Sequence, residues 1–127
     1  MDPASGTDES GRLQTTTYND FPRLRWLGAA GGATALFSDA NVGRWFCIEV
    51  HMKLNTRHDS DGVLEFWIDD KPEAQRTGLN WVGAYSDFGI NAVYLENYWT
   101  SVPFSKVQQR YFDNFVVSTK RIGCSLS

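Results

Sequence analysis

The chain has 127 residues, of which 42% are hydrophobic and 14% aromatic, and its formal net charge is -3. This length and composition suit one globular domain and exclude a disordered chain. No basic tract favours nucleic acid as a partner, and no apolar run approaches the roughly 20 residues of a membrane span. Residues 1–11 are polar, lack the regions of a signal peptide and are expected to be flexible, so that residues 12–127 form the single domain.

Nearly every signal after this segment predicts β-strands. In chain order, strands are predicted at residues 13–18, 24–29, 33–38, 44–55, 62–70, 79–86, 90–99 and 110–120. Turns or loops are predicted at residues 39–43, 55–62 and 71–78. Because no stretch sustains a helical period, the pattern predicts an all-β fold, an antiparallel β-sandwich.

The strand at 44–55, RWFCIEVHMKLN, alternates apolar and polar residues throughout. The strands at 62–70 and 90–99 repeat this design, with aliphatic residues on one side and carboxylates and aromatic rings on the other. If the three strands are neighbours in one sheet, their polar sides join into one patch. The patch comprises Glu49, His51, Lys53, Glu65, Trp67, Tyr94, Glu96 and Tyr98. It is either a binding site or an ordinary solvated sheet face, and His51 is either a general base or a structural histidine.

The two cysteines, Cys47 and Cys124, lie far apart in the sequence, and pairing them would require the C-terminal tail to fold back over the strand at 44–55. We therefore expect two separate free thiols. The DSDG sequence at 59–62 lacks the full spacing of a calcium loop and predicts a turn. We expect no metal site and no cofactor.

Four stretches in this order, RWFCIEVHMKLN, SDGVLEFWIDD, GINAVYLENYW and RYFDNFVVSTKRIG, resemble the C-terminal half of the alginate-lyase-like polysaccharide lyases. The match covers about residues 43–123. The resemblance implies a concanavalin A-like jelly roll with a polysaccharide lying across a concave sheet, here shortened at the N-terminus. Such sandwiches often hold a structural calcium. Either the sandwich is minimal or a partner chain completes it, which would favour a homodimer.

The resemblance also implies an enzymatic activity, the cleavage of a uronic-acid polymer by β-elimination. Lys53 would stabilise the enolate-like charge and Tyr94 would exchange the proton, with His51 assisting. Glu96 stands where relatives often have a second tyrosine, and its charge would repel a uronate chain.

The alternative that we favour is a non-catalytic carbohydrate-binding domain. In that domain aromatic rings stack on the sugar and carboxylates accept its hydroxyl groups. The rings are Trp67, Tyr94 and Tyr98, and the carboxylates are Glu49, Glu65 and Glu96. A self-associating domain without a ligand is a third interpretation. Polysaccharides of this kind are mostly extracellular or periplasmic, which is the compartment expected if the carbohydrate interpretation holds.

Overall fold

The computed structural model describes residues 1, 3–6, 24–83, 89–90, 93, 95, 107 and 109–124. Its elements in chain order are β1 (Ala4–Gly6), β2 (Leu24–Trp26), a 3-10 turn (Asp39–Asn41), β3 (Ile48–Lys53), β4 (Gly62–Ile68) and β5 (Lys71–Leu79). β1 and β2 form a two-stranded antiparallel sheet, and β3, β4 and β5 form a three-stranded one in that order. The predicted all-β, antiparallel class is confirmed, while the complete jelly-roll sandwich stays a prediction. No helix in the described ranges is long and apolar enough to cross a membrane.

The β4–β5 connection is a two-residue hairpin turn at Asp69 and Asp70. Their φ angles are 50° and 62°, so both residues lie in the left-handed region. Two positive φ angles are the geometry of a type I′ turn, whose twist matches that of the flanking strands, and Asp tolerates it better than most residues. This turn brings β5 back along β4.

The β3–β4 connection, residues 54–61, is organised by the buried side chain of Asn55. Its Nδ2 donates to the carbonyl oxygens of Thr56 (2.9 Å) and Asp59 (3.1 Å). Its Oδ1 accepts from the backbone N–H groups of Trp81 (2.6 Å) and Val82 (3.0 Å). Asn55 therefore joins this loop to the chain that follows β5.

The alternation of β3 and β4 sorts their side chains onto two faces. Val50 pairs with Phe66 and Met52 with Leu64 on the apolar face, since residues directly opposite in an antiparallel pair share a face. Val50 nevertheless stays 59% exposed. The large aliphatic side chains that are buried in the described ranges are Leu64, Ile68 and Leu79. The core therefore lies along β4 and the end of β5.

The two-stranded sheet is attached at the end of β5. The Ser5 hydroxyl donates to the Trp81 carbonyl oxygen (2.6 Å), and the Arg76 guanidinium donates to that of Leu27 (3.2 Å). Between this sheet and the apolar face lies an open groove of about 490 Å³. It is lined by Met1, Pro3, Ala4, Val50, Met52, Leu64, Phe66 and Trp81. β1 lies within residues 1–11, the segment that the sequence predicts to be flexible.

The prediction of a turn at residues 71–78 is wrong, because the chain there forms β5. Pro72 suggested a break, yet β5 lies at the edge of the described sheet, where a missing backbone N–H is tolerated. The strand predicted at 62–70 ends instead at Ile68, where the hairpin turn begins.

Two other predicted strands, at residues 33–38 and 110–120, are wrong. Residues 33–38 form turns, and the Asn41 side chain donates to the Ala35 carbonyl oxygen (2.9 Å). Residues 110–120 form no strand, since Asn114 has a φ of 54° and Ser118 Oγ accepts from the Lys120 N–H (3.0 Å). The strand predicted at 13–18 and most of that at 90–99 lie outside the described residues.

The expectation of two free thiols is also wrong. Cys47 and Cys124 form a disulfide with a Cα–Cα distance of 5.6 Å, across 77 residues of sequence. The C-terminal tail therefore does fold back to the start of β3.

Candidate functional site

The polar face of the three-stranded sheet carries the predicted patch as far as the structure describes it. In the β3–β4 register Glu49 is opposite Trp67 and His51 is opposite Glu65. Both pairs therefore lie on one face, together with Lys53, as the alternation predicts. Of the other predicted site residues, Tyr94, Glu96 and Tyr98 lie outside the described residues.

A row of three hydrogen-bonded side chains crosses the sheet from β3 to β5. His51 Nδ1 is 2.9 Å from Glu65 Oε1, and Gln75 Nε2 donates to Glu65 Oε2 at 2.6 Å. Each strand contributes one member, because His51, Glu65 and Gln75 are directly paired across the ladder. The carboxylate at the centre is held by a partner on each side.

The hydrogen bond from His51, followed by the one from Gln75, lowers the pKa of Glu65 against the opposing effect of burial. Glu65 is therefore an ionised acceptor at neutral pH, so Nδ1 of His51 must carry the hydrogen between them. In the neutral ring this leaves Nε2 as the basic nitrogen. The His51 side chain is 52% exposed, so ligands can reach it.

Lys53 lies at the loop end of the same face and is paired. Its Nζ is 3.0 Å from Asp61 Oδ2, and Asp61 also accepts from the Thr56 N–H (2.6 Å) and hydroxyl (2.9 Å). The hydrogen bond from Lys53, aided by those from Thr56, lowers the pKa of Asp61 to about 2. The resemblance assigns the positive charge of Lys53 to catalysis, but the Asp61 carboxylate beside it offsets this charge.

The other end of the face is covered by residues 121–124, which we call the C-terminal strap. Glu49 accepts the backbone N–H groups of Ile122 (Oε1, 2.7 Å) and Gly123 (Oε2, 3.2 Å). The hydrogen bond from Ile122, and then those from Gly123 and Arg121, lower the pKa of Glu49. The Glu49 side chain is only 11% exposed as a result of this contact.

The strap also covers Trp67. The Arg121 guanidinium carbon lies 4.8 Å from the centroid of the Trp67 ring, in a cation–π contact. Arg121 is also close to Glu49 Oε2 (3.5 Å) and Asp70 Oδ1 (3.6 Å). Asp70 in turn accepts the Cys124 N–H (3.1 Å), beside the disulfide.

The polar face therefore has a hydrogen-bonding row at His51, Glu65 and Gln75, a paired cation at Lys53, and a covered end. Such a row presents both donors and acceptors at fixed positions, which suits a ligand with many hydroxyl groups. Within the described ranges, no group of three or more His, Cys, Asp or Glu side chains is placed to hold a metal ion.

Sequence reasoning missed Gln75, Asp61 and Arg121. Gln75 was missed because residues 71–78 were predicted as a turn, although the Asp pair after an alternating strand is a hairpin signal. The alternation rule does not apply to Asp61 and Arg121, which lie in irregular segments.

Acid is expected to destabilise this face in a defined pH window. The folded chain holds the pKa of Glu49 and Glu65 below 4.5, and that of Asp61 at about 2 against 3.8. Since these values are depressed, the stability they contribute is present above about pH 4.5 and is lost as the pH falls towards 2. Urea unfolding at pH 6, 4 and 2.5 measures this loss.

Asp61→Asn is expected to reduce the pH dependence below pH 3.8, and Asp39→Asn serves as the matched control, since Asp39 has no side-chain ion pair in the described chain. An identical loss of stability in acid for wild type and Asp61→Asn would show that the Asp61 carboxylate does not contribute to it.

The chain matches no protein-family model, no curated protein and no solved structure. The resemblance to polysaccharide lyases is therefore a prediction from the four sequence stretches alone.

Proposed function

We propose that the polar face binds a saccharide, in a domain related to the polysaccharide lyases. The observation that carries the proposal is the row of His51, Glu65 and Gln75, joined by hydrogen bonds of 2.9 Å and 2.6 Å. Sugar hydroxyl groups donate and accept hydrogen bonds, and this row offers an imidazole, a carboxylate and an amide across three adjacent strands. Because the side chains hold one another, little conformational entropy is lost when a ligand binds.

The charges on this face favour a neutral saccharide over a uronate. Glu49 and Glu65 are ionised at neutral pH because their pKa values are lowered, and Lys53 is paired with Asp61. The chain as a whole carries -3. An anionic polymer would therefore meet repulsion both at the face and at long range.

A second candidate function, β-elimination, has one observation in its favour. Glu65 orients His51 through Nδ1, which leaves Nε2 as a positioned base, and Lys53 follows on the same strand. Tyr94, which is expected to exchange the proton, lies outside the described residues. An ultraviolet assay for the unsaturated uronate product, run on alginate and polyglucuronate with wild type, Lys53→Ala and Tyr94→Phe, tests this candidate. A product that both variants lose would establish the lyase.

Binding is tested with isothermal titration of neutral cello-, xylo-, manno- and laminari-hexaose beside alginate and glucuronate oligomers. We expect a neutral hexaose to bind, and His51→Ala and Glu65→Gln each to weaken it about tenfold or more, since a hydrogen bond to a charged group contributes about 1.5–3 kcal/mol. His58→Asn is the matched control. It changes the other histidine, in the β3–β4 loop, and Asn tolerates the φ of 68° there.

Equal losses in His58→Asn and His51→Ala would move the site away from this row. If no saccharide binds and sedimentation velocity shows a dimer, the self-associating domain replaces the proposal.

A further inference from the structure

The C-terminal strap is held mainly by its backbone. Successive N–H groups of Ile122, Gly123 and Cys124 all donate to the carboxylates of Glu49 and Asp70. Gly123 has a φ of 74°, a left-handed conformation that glycine adopts without steric cost, within this run of donors. This arrangement gives the strap a defined closed position.

The closed strap occupies groups that a saccharide would use. Arg121 lies over the Trp67 ring, which is the surface on which a sugar would stack. Both oxygens of Glu49 accept strap N–H groups, and the strap leaves this side chain only 11% exposed, so that hydroxyl groups have little access to it. Strap and ligand therefore compete for the same end of the polar face.

The ion pair that joins the strap to Asp70 is weak. Arg121 and Asp70 have side chains that are 53% and 46% exposed, and ion pairs at such exposed positions contribute little. The disulfide to Cys47 supplies the constraint that they lack, because it places Cys124 beside its Asp70 acceptor at high effective concentration.

We propose that residues 121–124 are an autoinhibitory strap, closed over Trp67 and Glu49 while the Cys47–Cys124 disulfide is intact and opened when a dithiol reduces it. In that reaction the S–S bond breaks, each cysteine sulfur takes up one proton, and the two thiols of the reductant are oxidised to a disulfide. The effect on ligand affinity rests on the proposed saccharide function. The opening itself does not.

Hydrogen exchange read by NMR tests the opening without any ligand. With dithiothreitol we expect the amides of Ile122, Gly123 and Cys124 to lose protection, while those of β4 stay protected and show that the sheet is folded. Protection that persists at these three amides in the reduced protein would overturn the proposal that reduction opens the strap.

Titration of the neutral hexaoses then tests the inhibition. The reduced protein is expected to bind more tightly than the oxidised one. Arg121→Ala, which keeps the disulfide, is expected to bind about two- to fivefold more tightly without reductant, corresponding to one exposed cation–π contact. Lys120→Ala is the control, since this neighbouring exposed cation contacts no aromatic ring in the described part of the chain, and the substitution should leave affinity unchanged.

The outcomes separate the two proposals. Open amides with unchanged affinity would overturn the inhibition and leave saccharide binding intact. Open amides with no binding of any hexaose to either form would overturn the saccharide function and the inhibition with it.

Discussion

Replacing both cysteines, in Cys47→Ser/Cys124→Ser, is expected to lower the free energy of unfolding by about 4 kcal/mol. The bond joins residues 77 positions apart, and a cross-link over so long a loop removes much conformational entropy from the unfolded chain. Few apolar side chains in the described ranges are buried, so packing in this part of the chain offsets little of the loss. Equilibrium urea unfolding of the oxidised wild type and the variant measures the difference.

Wild type reduced with dithiothreitol is the matched control, because it loses the same bond without a substitution. It should unfold close to the midpoint of the double variant. A difference below about 1 kcal/mol between oxidised and reduced wild type would show that the unfolded chain is already restricted where the bond forms.

Asn55→Ala is also expected to have a large effect, lowering the free energy of unfolding by about 2–4 kcal/mol. The substitution leaves the backbone N–H groups of Trp81 and Val82 without their acceptor, and removes the donor to the carbonyl oxygens of Thr56 and Asp59. Because Asn55 is 7% exposed, water cannot readily replace these bonds. Thermal and urea unfolding followed by circular dichroism measure the loss.

Asn41→Ala is the comparison, since the Asn41 side chain also makes two hydrogen bonds, to Ala35 and Ser38, but within one local turn. We expect it to cost less than about 1 kcal/mol. Equal losses in the free energy of unfolding for Asn41→Ala and Asn55→Ala would contradict this prediction. They would show that joining the β3–β4 loop to the end of β5 stabilises the fold no more than a local turn does.

The shared face of His51 and Glu65 followed from alternation once β3 and β4 were taken as neighbours. A period of two residues assigns each side chain to a face, and only the neighbour relation has to be supplied. β5 was missed because a proline and several charged residues within a short stretch indicate a turn. Only the position of β5 at the edge of the sheet makes Pro72 compatible with a strand. The row of His51, Glu65 and Gln75 could therefore be predicted only in its first two members.

The strap could not be predicted by the same rule. Glu49 meets the N–H of Ile122 across 73 positions, and the disulfide spans 77. Local patterns carry no information about such distant contacts, and two cysteines alone do not reveal whether they pair. Alternation placed Trp67 and Glu49 together on the polar face. It could not show that the C-terminal strap covers them.

The order of the strands has a kinetic consequence. β3, β4 and β5 follow one another with connections only at residues 54–61 and 69–70, so each pairing closes a short loop. Pairings of low sequence separation form quickly, whereas the Cys47–Cys124 bond requires two residues 77 positions apart to meet and an oxidant to act. During folding, the polar face is therefore expected to be complete and uncovered before the C-terminus reaches it.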